Sequence, residues 1–229
     1  ASSRPLSRRW LAGIFVVALL LCFAQRPGLI APDTKLDLTA NPLRFLSRAA
    51  TLWNSDLPFG QAQNQAYGYL FPHGAFFLIG HEIGIPDWVI QRLWWALLVT
   101  AGCWGLLRVA EALGIGTTPS RLVGAVAFAL SPRVLGTVGS ISSETLPMML
   151  APWVLLPVIL ALQGKGSARV LAARAGIALA LMGAVNAVAS LAACLPAIIW
   201  WACHRPDRRW VRFSAWWLLA SSLAIAWWV

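Results

Sequence analysis

Residues 88–110 read WVIQRLWWALLVTAGCWGLLRVA, and this stretch decides the class of the fold. It is almost wholly apolar over more than the roughly 20 residues that a helix needs to cross the hydrocarbon core of a bilayer. Its two charged residues, Arg92 and Arg108, lie toward its ends, where a spanning helix can bring them to polar surroundings. The stretch therefore predicts a membrane-spanning helix.

Composition extends that prediction to the whole chain. Apolar residues make up 59% of the sequence and charged residues only 11%, whereas a soluble domain has about half and about a quarter. The apolar residues fall in long blocks, which indicates an integral membrane protein. We predict spans at about 10–30, 88–110, 121–138, 144–162, 170–186, 187–203 and 213–229, with a long loop at 31–87.

The distribution of basic residues predicts which side each loop faces. With the N-terminus and its Arg4 in the cytoplasm, most of the 18 Lys and Arg residues lie on the cytoplasmic side. Most of the eight acids, Asp56 among them, then lie outside together with the loop 31–87. Topology thus explains the net charge of +10, and nucleic-acid binding is not expected.

The ends of the sequence indicate a longer protein. The chain lacks an initiator Met and stops within an apolar run, SLAIAWWV. We expect residues 1–229 to form the N-terminal part of one transmembrane domain.

The outer loop contains an amphipathic helix signal. Asn41 can cap a helix whose first residue is Pro42. A helix from there separates a polar face from an apolar face that would lie on the membrane. The polar face would hold Arg44, Ser47, Arg48 and Thr51, and the apolar face Leu43, Leu46, Ala50 and Trp53. A second juxtamembrane helix is expected within 73–85.

Two acids, Asp33 and Asp37, follow the first apolar run. An acid at a membrane boundary is costly unless it faces water or a polar cavity. Both acids could simply face solvent with Lys35 between them, and Pro32 could start a turn. If the segment were helical, the two carboxylates would share one face.

Three motifs carry a resemblance that favours a functional role. They are PDTKLD at 32–37, YLFPHGAFF at 69–77 and SPRVLGTVGSISSETLPMM at 131–149. Their order after one span resembles the GT-C class of membrane glycosyltransferases, in which the first outer loop carries the catalytic Asp. The amino-acid sequence of residues 33–74 is similar to the N-terminal region of the actinobacterial cell-wall α-(1→3)-arabinofuranosyltransferases.

The resemblance implies an all-α, polytopic helix bundle and a glycosyltransferase of the plasma membrane. It implies transfer of arabinofuranose from decaprenyl-phosphoryl-arabinose to an arabinan acceptor of arabinogalactan or lipoarabinomannan. The site would face the extracytoplasmic side, and a carbohydrate-binding region would follow residue 229.

The chemistry needs a base, a place for the acceptor oxygen, and positive charge for the leaving phosphate. The resemblance assigns the base to Asp33, with Asp37 as the rival. Candidate substrate-binding residues are Lys35, Arg44, His73, Arg133 and Glu144. An ion pair between Arg133 and Glu144 is at least as good an interpretation as a phosphate contact.

Neither a metal centre nor a nucleophilic serine is predicted. The HEIGI sequence at 81–85 is not a zinc-binding HExxH motif. No cofactor is required, although Asp33, Asp37, Glu82 and Glu144 could hold a divalent cation if the fold collects them. The serines of GSISSE have no His near them in sequence, which disfavours a serine hydrolase.

Two other classes of function remain open from the sequence. Interrupted helices around GAVNAVAS and GSISS are also typical of a secondary transporter or flippase, and a non-catalytic assembly or lipid-binding protein is the third class. Besides the donor, the acceptor and membrane lipids, the basic run HRPDRRWVR at 204–212 could dock an acidic cytoplasmic protein such as an acyl carrier protein.

Overall fold

The computed structural model describes residues 6–33, 35–55, 58–62, 66–183 and 185–226. Arg4 and Asp56 of the charge pattern, and Ala184 and residues 227–229 of the predicted spans, lie outside these residues. The described chain is all-α apart from a small antiparallel hairpin. Its helices are α1 Arg8–Phe23, α2 Leu36–Ala40, α3 Pro42–Ala49, α4 Ala75–Glu82, α5 Asp87–Leu113, α6 Thr118–Ala129, α7 Pro132–Thr137, α8 Ser142–Leu162, α9 Ala168–Ala180, α10 Ala187–Ala202 and α11 Arg208–Ile225. The hairpin pairs β1 Trp53–Asn54 with β2 Gln61–Ala62, and a 3₁₀ turn Ala66–Tyr69 and a π-helical segment Leu70–Gly74 precede α4.

The centre of the fold is the contact between α5 and α8. A Cβ atom placed on Gly102 would lie 2.3 Å from the sulfur of Met149, and one on Gly105 would lie 2.7 Å from the indole nitrogen of Trp153. These glycines therefore let the two helices approach closely. The Trp153 indole N–H donates to the carbonyl of Ala101 at 2.9 Å, which fixes the register of the pair.

Within the described ranges, α5 and α8 are the two helices long and apolar enough to cross a membrane. The apolar helices α1 and α10 are shorter. The chain thus has the character of a membrane protein, while the set of seven spans stays a prediction.

Two predicted spans differ from the observed helices. The helix predicted over 10–30 ends at Phe23, because Pro27 and Gly28 (φ 78°) interrupt the helical backbone. The stretch 121–138 is not one continuous helix: α6 ends at Ala129 and α7 begins at Pro132. Pro132 fits the first turn of a new helix, where its missing N–H costs nothing.

The stretch 170–203 contains a break between α9 and α10. Residues 181–186 are not helical where the structure describes them, and Asn186 caps α10 by accepting from the backbone N–H of Ala189 at 3.0 Å. On the other side of the bundle α9 packs against α11, since a Cβ on Gly176 would lie 3.0 Å from Ala220.

The amphipathic helix α3 is present, but its buried face is not the predicted one. The Asn41 side chain accepts from the backbone N–H of Arg44 at 3.0 Å, which confirms the cap. Phe45 and Ala49 are buried with Leu46, and Phe45 packs edge-on against Tyr69. Leu43 and Trp53 are exposed instead. The helix ends at Ala49 and packs onto the protein through Phe45, Leu46 and Ala49, so Trp53 lies beyond it.

Candidate active site

The segment that carries Asp33 is tied to the N-terminal part of α5. The side chain of Gln91 forms two hydrogen bonds to Ala31: its Oε1 accepts from the backbone N–H at 2.9 Å, and its Nε2 donates to the carbonyl at 3.0 Å. Arg92 donates to the carbonyl of Leu29 at 3.2 Å, and its guanidinium lies 4.3 Å from the ring centre of Trp95. Both side chains are buried, so α5 fixes the position of the backbone at residues 29–31.

Asp33 then reaches the first turn of α8. Its Oδ1 accepts from the backbone N–H of Ser142 at 3.0 Å, and its Oδ2 accepts from the Ser142 hydroxyl. The N–H of Ser142 is one of the helix-terminal amides that have no partner within the helix. A carboxylate at this position is further stabilised by the positive end of the helix dipole. Asp33 is only partly exposed, whereas Ser142 is fully buried.

His73 lies against Ser142 on the buried side of this contact. Its Nε2 lies 3.4 Å from the Ser142 hydroxyl oxygen, and its ring stacks on Trp94 at a centroid distance of 4.7 Å. Tyr69 and Phe77 surround the same ring. Burial lowers the pKa of His73 from 6.5 to about 4, although the nearby charge of Asp33 partly opposes that shift. His73 is therefore neutral at pH 7.

The hydrogen-bond pattern assigns the tautomer of His73. The Ser142 hydroxyl has one proton, and that proton is donated to Asp33. The contact between Ser142 and His73 therefore requires Nε2–H of His73 to donate to the serine oxygen. Two donors in series, His73 and then Ser142, thus point at the carboxylate of Asp33 and fix its orientation. His73 is only 4% exposed, which does not suit its predicted role as a phosphate partner.

A His does lie beside a serine of GSISSE, contrary to what sequence spacing suggested, because the fold joins residues 69 positions apart. The order of the groups still differs from that of a serine hydrolase. There the His lies between the acid and the serine and takes the serine proton. Here Ser142 lies in the middle, is fully buried and donates its proton to Asp33. Its role is to position the carboxylate.

Asp33 and Asp37 do not share a face. Asp33 lies outside any helix and α2 begins only at Leu36, so the condition for a shared helical face is not met. Asp37 is exposed and pairs with Arg48 of α3 at 2.7 Å. Lys35 lies beside that pair at the edge of a small surface pocket.

Arg44 lies elsewhere, on the exposed face of α3. The structure thus separates the two predicted catalytic acids. It also groups Lys35 with Asp37, apart from Asp33.

Arg133 and Glu144 meet at the same end of α8 as Asp33. The Arg133 guanidinium donates to one Glu144 oxygen at 2.9 Å, and the Asn186 side chain donates to the other at 3.1 Å. Arg133 remains 66% exposed in this pair, and Glu144 is 24% exposed. The contact links α7, α8 and the start of α10 near Asp33.

No three His, Cys, Asp or Glu side chains converge as a metal-binding group in the part of the chain that the structure describes. Asp33 accepts from Ser142, Asp37 pairs with Arg48, and Glu144 pairs with Arg133. These acids are therefore directed to different partners.

Sequence analysis did not identify Ser142, Gln91 or Asn186. Ser142 lies in GSISSE just before a long apolar run, a place typical of a helix start, but the predicted span began only at residue 144. Gln91 is an amide within an apolar helix, a place where a polar side chain usually has a specific partner. Asn186 lies within GAVNAVAS, which the sequence indicated only as a break between two helices.

Comparison with known families gives a match over most of the chain. Residues 17–229 match the family model described as the α-(1→3)-arabinofuranosyltransferase N-terminal GT-C domain. An α-(1→3)-arabinofuranosyltransferase of Mycobacterium tuberculosis is 75% identical over 98% of this chain, and one of Mycolicibacterium smegmatis is 74% identical over 94%. The chain spans only 16% and 15% of the length of these relatives.

Solved structures give the same result for the fold. A cryo-EM structure described as arabinofuranosyltransferase AftD from Mycobacteria superposes with a TM-score of 0.96 at 69% identity. The match covers 99% of this chain and 17% of that one. A structure of its R1389S mutant gives a TM-score of 0.96 at 68% identity.

The lowered pKa of His73 predicts a pH-dependent stability. Between its ordinary value of 6.5 and about 4, the unfolded chain binds a proton that the folded chain does not. Stability should therefore fall as pH drops through this range and be unaffected by His73 above it. The measurement is the melting temperature of the detergent-solubilised protein from pH 8 to pH 4.

His73→Phe keeps an aromatic ring against Trp94 and removes the titrating group, so its melting temperature should change less with pH. Phe77→Leu, which changes the same aromatic cluster and removes no histidine, is the matched control and should keep the wild-type slope. Equal slopes in wild type and His73→Phe would show that the buried ring does not carry the effect.

Proposed function

The chain belongs to the family of the α-(1→3)-arabinofuranosyltransferase N-terminal GT-C domain, and on that premise we propose that it carries the catalytic base of such a transferase. The reaction is transfer of arabinofuranose from decaprenyl-phosphoryl-arabinose to a hydroxyl of an arabinan acceptor, forming an α-(1→3) linkage. The observation that carries the proposal is the position of Asp33, which two hydrogen bonds from Ser142 hold at the start of α8.

Asp33 acts as the base in a single inverting displacement. A carboxylate oxygen removes the proton of the acceptor hydroxyl while that oxygen attacks the anomeric carbon. The bond between the anomeric carbon and the phosphate oxygen breaks, and the polyprenyl phosphate leaves with both electrons. A fixed carboxylate suits this step because an orientation set before the reaction lowers the entropy cost of reaching the transition state. The proposal routes no step through a metal ion or another cofactor.

The leaving phosphate needs positive charge near Asp33. Arg133 lies at the same end of α8 and keeps much of its guanidinium exposed. Lys35 lies two residues beyond Asp33 at the edge of the neighbouring pocket and is available for the acceptor sugar. His73 is left out of substrate binding because it is buried behind Ser142.

The proposed site faces the extracytoplasmic side of the plasma membrane, with the N-terminus in the cytoplasm. The inner surface then carries the basic residues of 204–212, together with Arg169, whose guanidinium lies 4.6 Å from the ring of Trp216. Such a surface can bind anionic lipid headgroups, and an acidic protein such as an acyl carrier protein is a second proposed partner there. Family membership favours the transferase over a secondary transporter or flippase.

The proposed topology can be tested with two matched Ser→Cys variants. Ser47 on α3 and Ser167 before α9 are both exposed, and the charge pattern places them on opposite sides. In a Cys203→Ala background, which removes the exposed native thiol, a membrane-impermeant maleimide should label Ser47→Cys in intact cells and leave Ser167→Cys unlabelled. Lysis should expose both, and the reverse pattern in intact cells would contradict an outward-facing site.

The choice of base can be tested by replacing each acid with its amide in the full-length protein. Asp33→Asn should lower arabinosyl transfer by roughly 10²–10⁴-fold, because the amide cannot take the acceptor proton. Its side-chain oxygen can still accept the Ser142 N–H, so folding and donor binding should remain near wild type. The measurement is transfer of labelled arabinose from the polyprenyl donor to an arabinan acceptor by purified enzyme.

Asp37→Asn is the matched control for that experiment. It removes an exposed ion pair with Arg48, which is worth little in stability, so most of the activity should remain. Normal transfer by Asp33→Asn with an inactive Asp37→Asn would show that Asp37 is the base. Normal transfer by both variants would show that neither acid of this loop acts as the base.

A further inference from the structure

A small polar pocket lies in the segment between α1 and α5, beside the residues that carry the proposed base. Its volume is about 160 Å³. Its polar lining comes from Lys35 just before α2, Asp37 in α2, Arg48 in α3 and Asn54 in β1. The packing of these elements, and not a single loop, therefore brings the polar side chains together.

One wall of the pocket is apolar. Phe45 and Ala49 lie four residues apart on the buried face of α3, and Ala66 at the start of the 3₁₀ turn lies beside them. A sugar ring has the matching character, because its C–H groups form an apolar face while its hydroxyls project from the edge. An apolar wall with a polar rim therefore suits a sugar better than a bare ion.

The charges of the pocket favour a neutral ligand. Asp37 pairs with Arg48 at 2.7 Å, so the two charges largely cancel and the guanidinium is held in place. The ammonium of Lys35 donates hydrogen bonds, and the amide of Asn54 can both donate and accept. Sugar hydroxyls likewise donate and accept, whereas an anion would meet the carboxylate of Asp37 in the same small space.

The pocket lies within reach of the proposed base along the chain. Asp33 and Lys35 are two residues apart. Their Cα atoms are therefore separated by about 7 Å at most. An oligosaccharide whose reacting hydroxyl lies at Asp33 would thus bring its adjoining sugar residue to the pocket.

We propose that this pocket binds the sugar residue next to the reacting one in an arabinan acceptor, so that the protein selects acceptors of two or more sugar residues. The place of the reacting hydroxyl rests on the proposed function, whereas the polar pocket with one apolar wall rests on the structure alone. Lys35 and Asn54 bind the hydroxyls of this residue, and Asp37 acts indirectly by holding Arg48. The pocket contributes to acceptor affinity and takes no part in proton transfer.

The proposal can be tested with acceptors of different length. Lys35→Met keeps the length of the side chain and removes its hydrogen-bond donors, so KM for an arabinofuranosyl tetrasaccharide should rise about tenfold while kcat stays near wild type. With methyl arabinofuranoside, which has no second sugar, wild type and Lys35→Met should give the same kcat/KM. A fall in kcat with both acceptors would place Lys35 at the leaving phosphate and overturn the proposal.

Two further variants show whether the effect arises inside the pocket. Asn54→Ala removes the amide from the lining and should raise KM for the tetrasaccharide as Lys35→Met does. Arg44→Gln removes a positive charge from the exposed face of α3, outside the pocket, and should leave that KM unchanged. An equal rise in Arg44→Gln would show that general positive charge, and not the pocket, attracts the acceptor. Lys35 is partly exposed, so Lys35→Met still tests the pocket if Asn54→Ala unfolds the hairpin.

Binding measured without a donor separates this proposal from the proposed function. The probe is an arabinofuranosyl tetrasaccharide that carries a photoreactive diazirine, used with the full-length protein in nanodiscs, and mass spectrometry locates the labelled peptides. Peptides of residues 35–66 should be labelled in wild type and in Asp33→Asn, and labelling of these peptides should fall about tenfold in Lys35→Met.

The same labelling experiment identifies the class of ligand. Unlabelled tetrasaccharide should compete with the probe, and inorganic phosphate at the same concentration should not. Competition by phosphate, or unchanged labelling of residues 35–66 in Lys35→Met, would show that the pocket is not a sugar site. Loss of transfer in Asp33→Asn with intact labelling would bear on the base alone and leave the pocket in place.

Discussion

The hydrogen bonds from Ser142 to the carboxylate of Asp33 are the interaction on which the rest of the site depends. The first amides of a buried helix must find acceptors outside the helix, and Asp33 supplies one for α8 from a segment 109 residues earlier in the chain. The same contact fixes the carboxylate, because both of its oxygens accept from one residue. The contact that satisfies the first amide of α8 is therefore also the contact that positions the carboxylate.

The surrounding elements stabilise that contact. Gln91 and Arg92 of α5 hold the backbone just before Asp33, and His73 supports Ser142 from a stack of aromatic rings. The close approach of α5 and α8 at Gly102 and Gly105 holds α8, which carries Ser142, against α5, which carries Gln91 and Arg92. On its other face α8 presents Glu144 to Arg133 and Asn186, so one helix carries both the contact that anchors Asp33 and a second polar contact to α7 and α10.

Much of the helical architecture could be predicted from the sequence, and the site only in part. Long apolar runs and the Asn41-Pro42 cap identified α5, α8 and α3, because these signals are local. The pairing of Asp33 with Ser142 could not be predicted, since it joins residues more than 100 positions apart through the packing of α5 on α8. The apolar face of α3 was misassigned although it follows helical periodicity: Pro42, Phe45, Leu46 and Ala49 have the spacing i, i+3, i+4, i+7 and form the buried face, which contacts Tyr69 through Phe45.

The central claim is that Asp33, fixed by Ser142, is the group that meets the acceptor hydroxyl. The most direct measurement is a cryo-EM structure of the full-length protein with a non-transferable polyprenyl-phosphoryl-arabinose analogue and an arabinan acceptor. The account predicts an acceptor hydroxyl within hydrogen-bond distance of Asp33, with both Ser142 contacts retained. An acceptor hydroxyl placed instead against Asp37, with Asp33 still turned toward α8 and distant from the sugar, would contradict it.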